Sequence, residues 1–267
     1  MEVIKAHYKL YQGDCLAVMD KLIESEIKVD AIITDPPYGT TACAWDSVIP
    51  LDKMWRRLNK LIKDNGAIVL FGSQPFTSEL VYSNINNYKH YWIWDKEICG
   101  AFALAKRRPM IVAEEILVFS KNNNRINYYP IMEDAISKNI RPVNLGSSVS
   151  EVTPVSSGIA KSDKNYNPKK RYPKNIIKYS KYNKECNQLN RVHPTQKPVE
   201  LLEYLIKTYT NENDLILDFT MGSGSTGVAC LNTNRKFIGI ELDEKYFNIA
   251  TERMRCAEIK NRQKYLF

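Results

Sequence analysis

Apolar residues in this chain gather in seven short runs, at residues 8–14, 29–34, 67–72, 90–96, 115–120, 215–219 and 237–241. Runs of this length, rich in Val, Ile and aromatic residues, fit strands buried on both faces of a parallel sheet. Between them the period lengthens to that of helices. Leu16, Met19, Leu22 and Ile23 share a face over residues 15–22. Leu51, Met54, Trp55, Leu58, Leu61 and Ile62 do so over residues 51–63, with Lys and Arg opposite. Asn65-Gly66 is expected to end that helix, and Gln74-Pro75 to open the next. Pro198 stands at the first turn of a helix over 199–209, and shorter and longer helices follow at 228–232 and 244–262. In the last of these, Tyr246, Phe247, Ile249, Ala250, Met254 and Ile259 form the expected core stripe. Strands alternating with helices predict an α/β fold with a doubly wound, mostly parallel sheet.

Two loops interrupt this pattern with chemistry. The run at 29–34 stops at Asp35-Pro36-Pro37-Tyr38-Gly39. Two prolines fix φ and remove two backbone donors, so neither sheet nor helix continues. A carboxylate, an uncontested carbonyl and an aromatic face are thereby presented at the carboxyl end of a strand, where open α/β sheets bind ligands. A flat ring fits on Tyr38, and an exocyclic amine on that ring can donate to Asp35 and to the Pro36 carbonyl. Two such acceptors draw the nitrogen toward tetrahedral geometry and free its lone pair, which is electrostatics aimed at a transition state. A second loop follows the run at 215–219. Gly222-x-Gly224-x-x-Gly227 matches the dinucleotide fingerprint, and Glu241 ends the next strand about 20 residues on, where such folds hold a ribose diol. The glycine pattern alone also suits a nicotinamide oxidoreductase.

Asp35-Pro36-Pro37-Tyr38 resembles the catalytic motif of the amino-methylating DNA methyltransferases, which act on adenine N6 or cytosine N4. The resemblance covers almost the whole chain. Catalytic loop, basic region and glycine loop come in the order of the β class, a circular permutation of the Rossmann-like class I methyltransferase fold. That class implies a seven-stranded sheet with one antiparallel strand near its edge. It implies that Asp35, Pro36, Pro37 and Tyr38 are catalytic and that S-adenosylmethionine is the cofactor. Cofactor-binding positions carried over are Asp14, Cys15, Asp35, Asp218, Thr220, Gly222, Ser223, Gly224, Ser225, Thr226, Glu241 and Leu242, with Thr195, Gln196 and Lys197 at the methionine end. Asp14 has a second reading as the cap of the helix it precedes. Phe219 and Thr220 depart from the family's Asp-Pro-Phe-x-Gly-Ser-Gly.

Composition sharpens the partner. The chain carries a net charge of +8 at pI ≈ 9.0. Residues 121–192 hold fourteen Lys and Arg against five Asp and Glu, a net +9, so the remainder is near neutral. Six tyrosines are interleaved there, a combination that attracts phosphate and stacks on bases. A long disordered loop is the plainer reading of the same composition. In the family this is the place of the target-recognition region. Three parts are therefore expected: 1–120 and 193–267 as one methyltransferase domain, and 121–192 inserted for recognition. DNA contacts are expected from Lys106, Arg107 and Arg108 and from Lys169, Lys170, Arg171 and Lys174; a merely solvated loop accounts equally for the first three. The six cysteines and three histidines are scattered with no Cys-x-x-Cys, so neither zinc nor disulfides are expected. No run is long enough to cross a bilayer and the first five residues are no signal peptide, which fits a prokaryotic or phage-encoded cytoplasmic protein. Double-stranded DNA is the expected partner, and the resemblance adds a homodimer and a cognate restriction endonuclease. Adenine N6 is favoured over cytosine N4 because the motif opens with Asp; an RNA methyltransferase and a silent DNA-binding module are the remaining alternatives.

Overall fold

A computed structural model describes residues 1–39, 47–99, 105–134, 169–180 and 196–264. In chain order the elements are β1 (Glu2–Ile4), β2 (Tyr8–Gln12), α1 (Cys15–Glu24), β3 (Val29–Thr34), α2 (Leu51–Leu61), β4 (Ile62–Gly72), α3 (Phe76–Ser83), β5 (Tyr88–Asp95), β6 (Ala113–Phe119), β7 (Glu133–Asp134), β8 (Lys170–Arg171), β9 (Ile176–Lys178), α4 (Val199–Tyr209), β10 (Leu215–Asp218), α5 (Ser225–Asn232), β11 (Lys236–Glu241) and α6 (Glu244–Lys264). They fall into two units, Met1–Tyr129 with Asn175–Phe267, and Pro130–Lys174.

The larger unit is built on one sheet in the order β1-β2-β11-β10-β3-β4-β6-β5-β9. Its middle seven strands are those expected, and β6 is antiparallel to both of its neighbours, one place from the end of that set. Among the described residues this sheet has nine strands where seven were expected. The extra two are three-residue edge strands: β1 folds back antiparallel on β2, and β9 runs parallel to β5. Each is too short for a periodic signal.

Alternation along each strand divides the core between the two faces. Ala31 and Ile33 of β3 and Ala67, Val69 and Phe71 of β4 face one cluster, which includes Leu205 of α4, Ala229 of α5 and Phe247, Ala250, Met254 and Ala257 of α6. Ile32, Ile68 and Leu70 face the other, with Met19 of α1, Leu58 of α2 and Leu80 of α3. Successive strand residues point to opposite faces, so the near-continuous apolar runs serve both layers. The α6 stripe is correspondingly 247, 250, 254 and 257; Ile259 is 43% exposed and does not join it.

The helix expected to end at Asn65-Gly66 stops earlier. Ile62 has already turned to extended backbone (φ −71°, ψ 140°), and β4 runs through the pair. Pairing with β3 shifts register there, from Val29–Ile62 to Ala31–Ala67. A Cβ on Gly66 would lie 2.7 Å from the Asp30 carbonyl, so the glycine marks close approach to β3 rather than a helix terminus.

The smaller unit's described strands are β7 and β8, paired antiparallel with Asp134 opposite Lys170 and Glu133 opposite Arg171. In the larger unit, the Tyr129 N–H donates to the Thr208 carbonyl of α4 at 2.7 Å. The Asn175 carbonyl accepts from the Ile93 N–H of β5 at 2.7 Å, so outgoing and returning chain are both tied into the same unit.

Candidate active site

Strands β3 and β10 lie side by side and parallel at the centre of the sheet. The helix that follows β3, α2, covers one face, and the helix that follows β10, α5, covers the other. Connections that leave neighbouring strands toward opposite faces open a crevice at their carboxyl ends. Asp35 and Asp218 stand at that crevice. It holds a cavity of about 340 Å³ whose wall includes Asp35, Pro36, Pro37 and Tyr38 together with Asp218, Thr220, Gly222 and Ser223. The catalytic and glycine loops, more than 180 positions apart in the chain, therefore share one chamber.

The remaining predicted positions divide cleanly. Asp14, Cys15, Gln196, Lys197, Ser225, Thr226, Glu241 and Leu242 also line the cavity. Gly224 does not; it turns the loop at φ 78°, and a Cβ there would sit 3.0 Å from Ala250 Cβ. Thr195 lies outside the described residues. Asp14 Oδ1 accepts from the Ala17 N–H at 2.9 Å, so it does cap α1 while forming part of the wall. Burial pushes the Cys15 thiol up to about 12, which keeps it protonated.

Hydroxyls join the two strand tips. Thr34 Oγ1 donates to Asp218 Oδ1 at 2.5 Å, and the Thr220 N–H reaches the same oxygen at 3.1 Å. Thr220 Oγ1 lies 2.8 Å from Thr34 Oγ1 and donates to the Asp35 carbonyl at 3.1 Å. The departure from the family pattern at Thr220 thus puts a hydroxyl where it bridges the two loops. Burial raises the Asp218 carboxyl to about 6 against the bonds it accepts, and the charge of Asp35 adds to the rise. On the glycine loop, the Gly222 N–H donates to Glu241 Oε2 and the Asp243 N–H to Oε1, both at 2.8 Å. Arg253 of α6 holds the loop from behind through the Ser223 carbonyl at 2.6 Å.

At the catalytic loop the Tyr38 ring stacks on Phe76 of α3, with centroids 5.2 Å apart and planes 28° apart. Its hydroxyl donates to Asp35 Oδ1 at 2.5 Å. Lys197, expected from sequence to contact cofactor, donates to Asp35 Oδ2 at 2.6 Å and to Glu114 Oε1 at 2.9 Å. Its ammonium lies over Phe71, 5.0 Å from the ring centroid. Lys96 reaches Glu114 Oε2 at 3.6 Å. Burial raises the Asp35 carboxyl and Glu114 raises it further, against Lys197 and Tyr38. Burial pushes the Lys197 ammonium down, but the two carboxylates overcome it and hold the ammonium firmly protonated. Glu114, Lys96, Phe76 and Arg253 do not stand out in the sequence. The adjacent acids Glu114-Glu115 opening an apolar strand are the available signal.

The basic residues lie elsewhere. Lys106, Arg107 and Arg108 are exposed in the β5–β6 loop, outside the cavity wall. In the smaller unit Lys169 and Lys174 are exposed, and Lys170 pairs with Asp134 at 2.7 Å. Among the described residues no group of three His, Cys, Asp or Glu is placed to hold a metal ion, and no helix is long and apolar enough to cross a membrane.

The donor set suits a nucleoside with a charged tail. Apolar Leu16, Phe219 and Leu242 share the wall with Glu241 and with Ser223, Gln196 and Asp35. Comparison with known proteins agrees. A family model described as DNA methylase, of the N6/N4 methyltransferase type, matches residues 29–252. The type II methyltransferase M1.MboII of Moraxella bovis is 29% identical over 259 residues, 91% of this chain and 94% of that protein. The DNA adenine methyltransferase YhdJ of Escherichia coli K12 is 26% identical over 265 residues, 93% and 83% of the two chains. Among solved structures, the M1.HpyAVI–SAM complex superposes with a TM-score of 0.60 at 25% identity, over 92% of this chain and 98% of that one. The chain belongs to the N6/N4 DNA methylase family and is a DNA methyltransferase that uses S-adenosylmethionine.

Proposed function

We propose that the protein methylates adenine N6 at a specific DNA sequence. The carrying observation is the shared chamber, in which the Asp35-Pro36-Pro37-Tyr38 loop faces the glycine loop across one cavity. The opening Asp of the motif supports adenine, as does the similarity to YhdJ.

S-adenosylmethionine supplies the methyl group on an electrophilic sulfonium. Glu241, fixed by two backbone N–H groups, is the acceptor for a ribose diol. Asp14 and Leu242 flank the nucleoside end, and Ser223, Ser225, Thr226 and Gln196 offer polar groups to the charged tail. Asp218 and Asp35 supply negative potential beside a cation. Lys197, bonded to Asp35 and Glu114, acts on the catalytic side and not as a carboxylate clamp.

The target base leaves the duplex at an unstacking cost of a few kcal/mol and enters beside Tyr38. Phe76 backs the Tyr38 ring, so the platform for stacking is stiff. Asp35 and the Pro36 carbonyl accept the two N–H bonds of the amine, and Asp35 or water takes the proton shed after transfer. Much of the rate comes from holding the reacting groups in place. Residues 121–192, together with Lys106, Arg107 and Arg108, supply the contacts to DNA. A homodimer, a cognate endonuclease and a cytoplasmic location belong to the same reading, on the family resemblance alone.

Expression in a methylation-free bacterial host, followed by nucleoside analysis and genome-wide mapping of modified bases, tests this. N6-methyladenine within one short sequence is expected, and none from Asp35→Ala that still folds. N4-methylcytosine would overturn the choice of base, and an active Asp35→Ala would remove the mechanism.

A further inference from the structure

The resting site poses a difficulty for its own chemistry. Asp35 must accept a base amine, yet both of its oxygens already hold strong donors, Tyr38 at 2.5 Å and Lys197 at 2.6 Å. Charge-assisted bonds of this kind draw electron density from the acceptor and compete with a neutral amine. Each oxygen keeps a second lone pair, but an Asp35 relieved of one of those donors holds the amine more strongly.

Glu114 is placed to take such a donor. It lies near the start of β6, and β6 runs antiparallel to β4, so its first residues reach the rim where the parallel strands end. Its Oε1 accepts from Lys197 at 2.9 Å and stands 3.5 Å from the Tyr38 hydroxyl. The side chain is 12% exposed and is not among the residues that line the cavity. A phenol has one proton and gives its strong bond to one acceptor at a time. With Asp35 Oδ1 at 2.5 Å and Glu114 Oε1 at 3.5 Å, the Tyr38 hydroxyl has both acceptors within hydrogen-bond range while its ring stays stacked on Phe76.

We propose that Glu114 is a positioning residue that takes over the Tyr38 hydroxyl and the Lys197 ammonium, releasing the Asp35 carboxylate to a base amine. The exchange is of hydrogen bonds only; no covalent bond changes. It rests on the methyltransferase mechanism above. Among the described residues, the titratable groups around Asp35 are Tyr38 from its own loop, Lys197 ahead of α4, Glu114 from β6 and Asp218 from β10, with Lys96 after β5 bonded to Glu114. The negative charge of Glu114 also keeps Asp35 more basic than Lys197 alone would leave it.

Glu114→Gln preserves shape and removes the charge. In the full-length protein, assayed by methyl incorporation into unmethylated genomic DNA, kcat is expected to fall by about 10- to 100-fold, the range orienting partners contribute at metal sites. Cofactor affinity by calorimetry should stay within about twofold, because Glu114 does not line the cavity. The acid limb of the kcat–pH profile should move to lower pH, since Asp35 ionises more readily without a neighbouring anion. Glu114→Asp should recover part of kcat and return the limb toward that of the wild type. Wild-type kcat and an unmoved limb in Glu114→Gln overturn the proposal. So does a loss of kcat matched by an equal loss of cofactor affinity, which marks general damage. If Glu114→Gln fails to fold, a Glu114→Asp variant indistinguishable from wild type overturns it instead. Should the wild type itself transfer no methyl group, the parent mechanism fails first, and Glu114 with it.

Discussion

The ammonium of Lys197 and the carboxylate of Asp35 lie 2.6 Å apart although 162 residues separate them. Their side chains are 9% and 23% exposed, and Glu114, 12% exposed, shares the same cation. Removing one member of a buried charge cluster leaves the others uncompensated, at a cost of about 3–5 kcal/mol. Lys96 still stands 3.6 Å from Glu114, which limits the loss. Lys197→Met should therefore lower stability by about 3 kcal/mol at pH 7, the low end of that range. The deficit should shrink as pH falls, because the stranded carboxylates take up protons in the folded state. Urea unfolding across pH 5–8 measures both; a deficit that does not change with pH argues for lost packing instead.

Asp218 carries a pH signature of its own. Its folded pKa of about 6 lies above the ordinary 3.8, so the folded state holds the proton more tightly than the unfolded chain. An acid raised in this way costs nothing below the unfolded value; its cost grows as pH rises from there to the folded value and is complete above it. A rise of this size corresponds to about 3 kcal/mol at neutral pH. Asp218→Asn keeps an acceptor for Thr34 and cannot ionise. Its stability relative to wild type should improve from about pH 4 to pH 6 and then level off in urea unfolding. A constant difference across that span would place the Asp218 pKa near its ordinary value.

Thr220 joins the glycine loop to the catalytic loop through the Asp35 carbonyl. Thr220→Val has the same outline without the hydroxyl and leaves a buried acceptor short of one donor, a loss of about 1–2 kcal/mol. If that bond fixes the Asp35 backbone for transfer, kcat should drop by about fivefold or more while Thr220→Ser stays near wild type. Steady-state kinetics with cofactor and DNA varied separately distinguish this from weakened cofactor binding, which would appear in KM.

Lys106, Arg107 and Arg108 lie together, exposed in one loop. Each phosphate neutralised contributes about 0.9 to the slope of log affinity against log salt. Replacing all three by Ala should reduce that slope by about 2–3 if they contact the backbone. Titration of the variant with labelled duplex at several salt concentrations reads this directly, and an unchanged slope removes the loop from the DNA surface.

What the sequence discloses follows from which signals are local. The run at Val29–Thr34 and the stop at Asp35-Pro36-Pro37 are written in adjacent residues, and strand and loop both stand where those residues put them. The helix Val199–Tyr209 begins and ends where proline and periodicity place it. Gly66 is conspicuous in sequence yet marks something other than the helix end expected there. An isolated glycine announces a tight backbone without saying whether a helix ends or a strand draws near. Glu114 escapes sequence reasoning for a deeper cause. Its meaning depends on β6 running against β4, and strand direction is settled by pairing partners far along the chain. Lys197 is visible in sequence, but its bonds to Asp35 and Glu114 are not, since its resting place over Phe71 exists only after β4 and α4 have packed together.

The return of the chain at β9, alongside β5, has a consequence for the inserted interval. Tyr129 and Asn175 are both hydrogen-bonded into the large unit, so everything between them begins and ends at fixed sockets. Neither anchor lines the cavity between the Asp35 and glycine loops. On the reading proposed above, a change in that interval alters which DNA sequence is marked without moving either anchor.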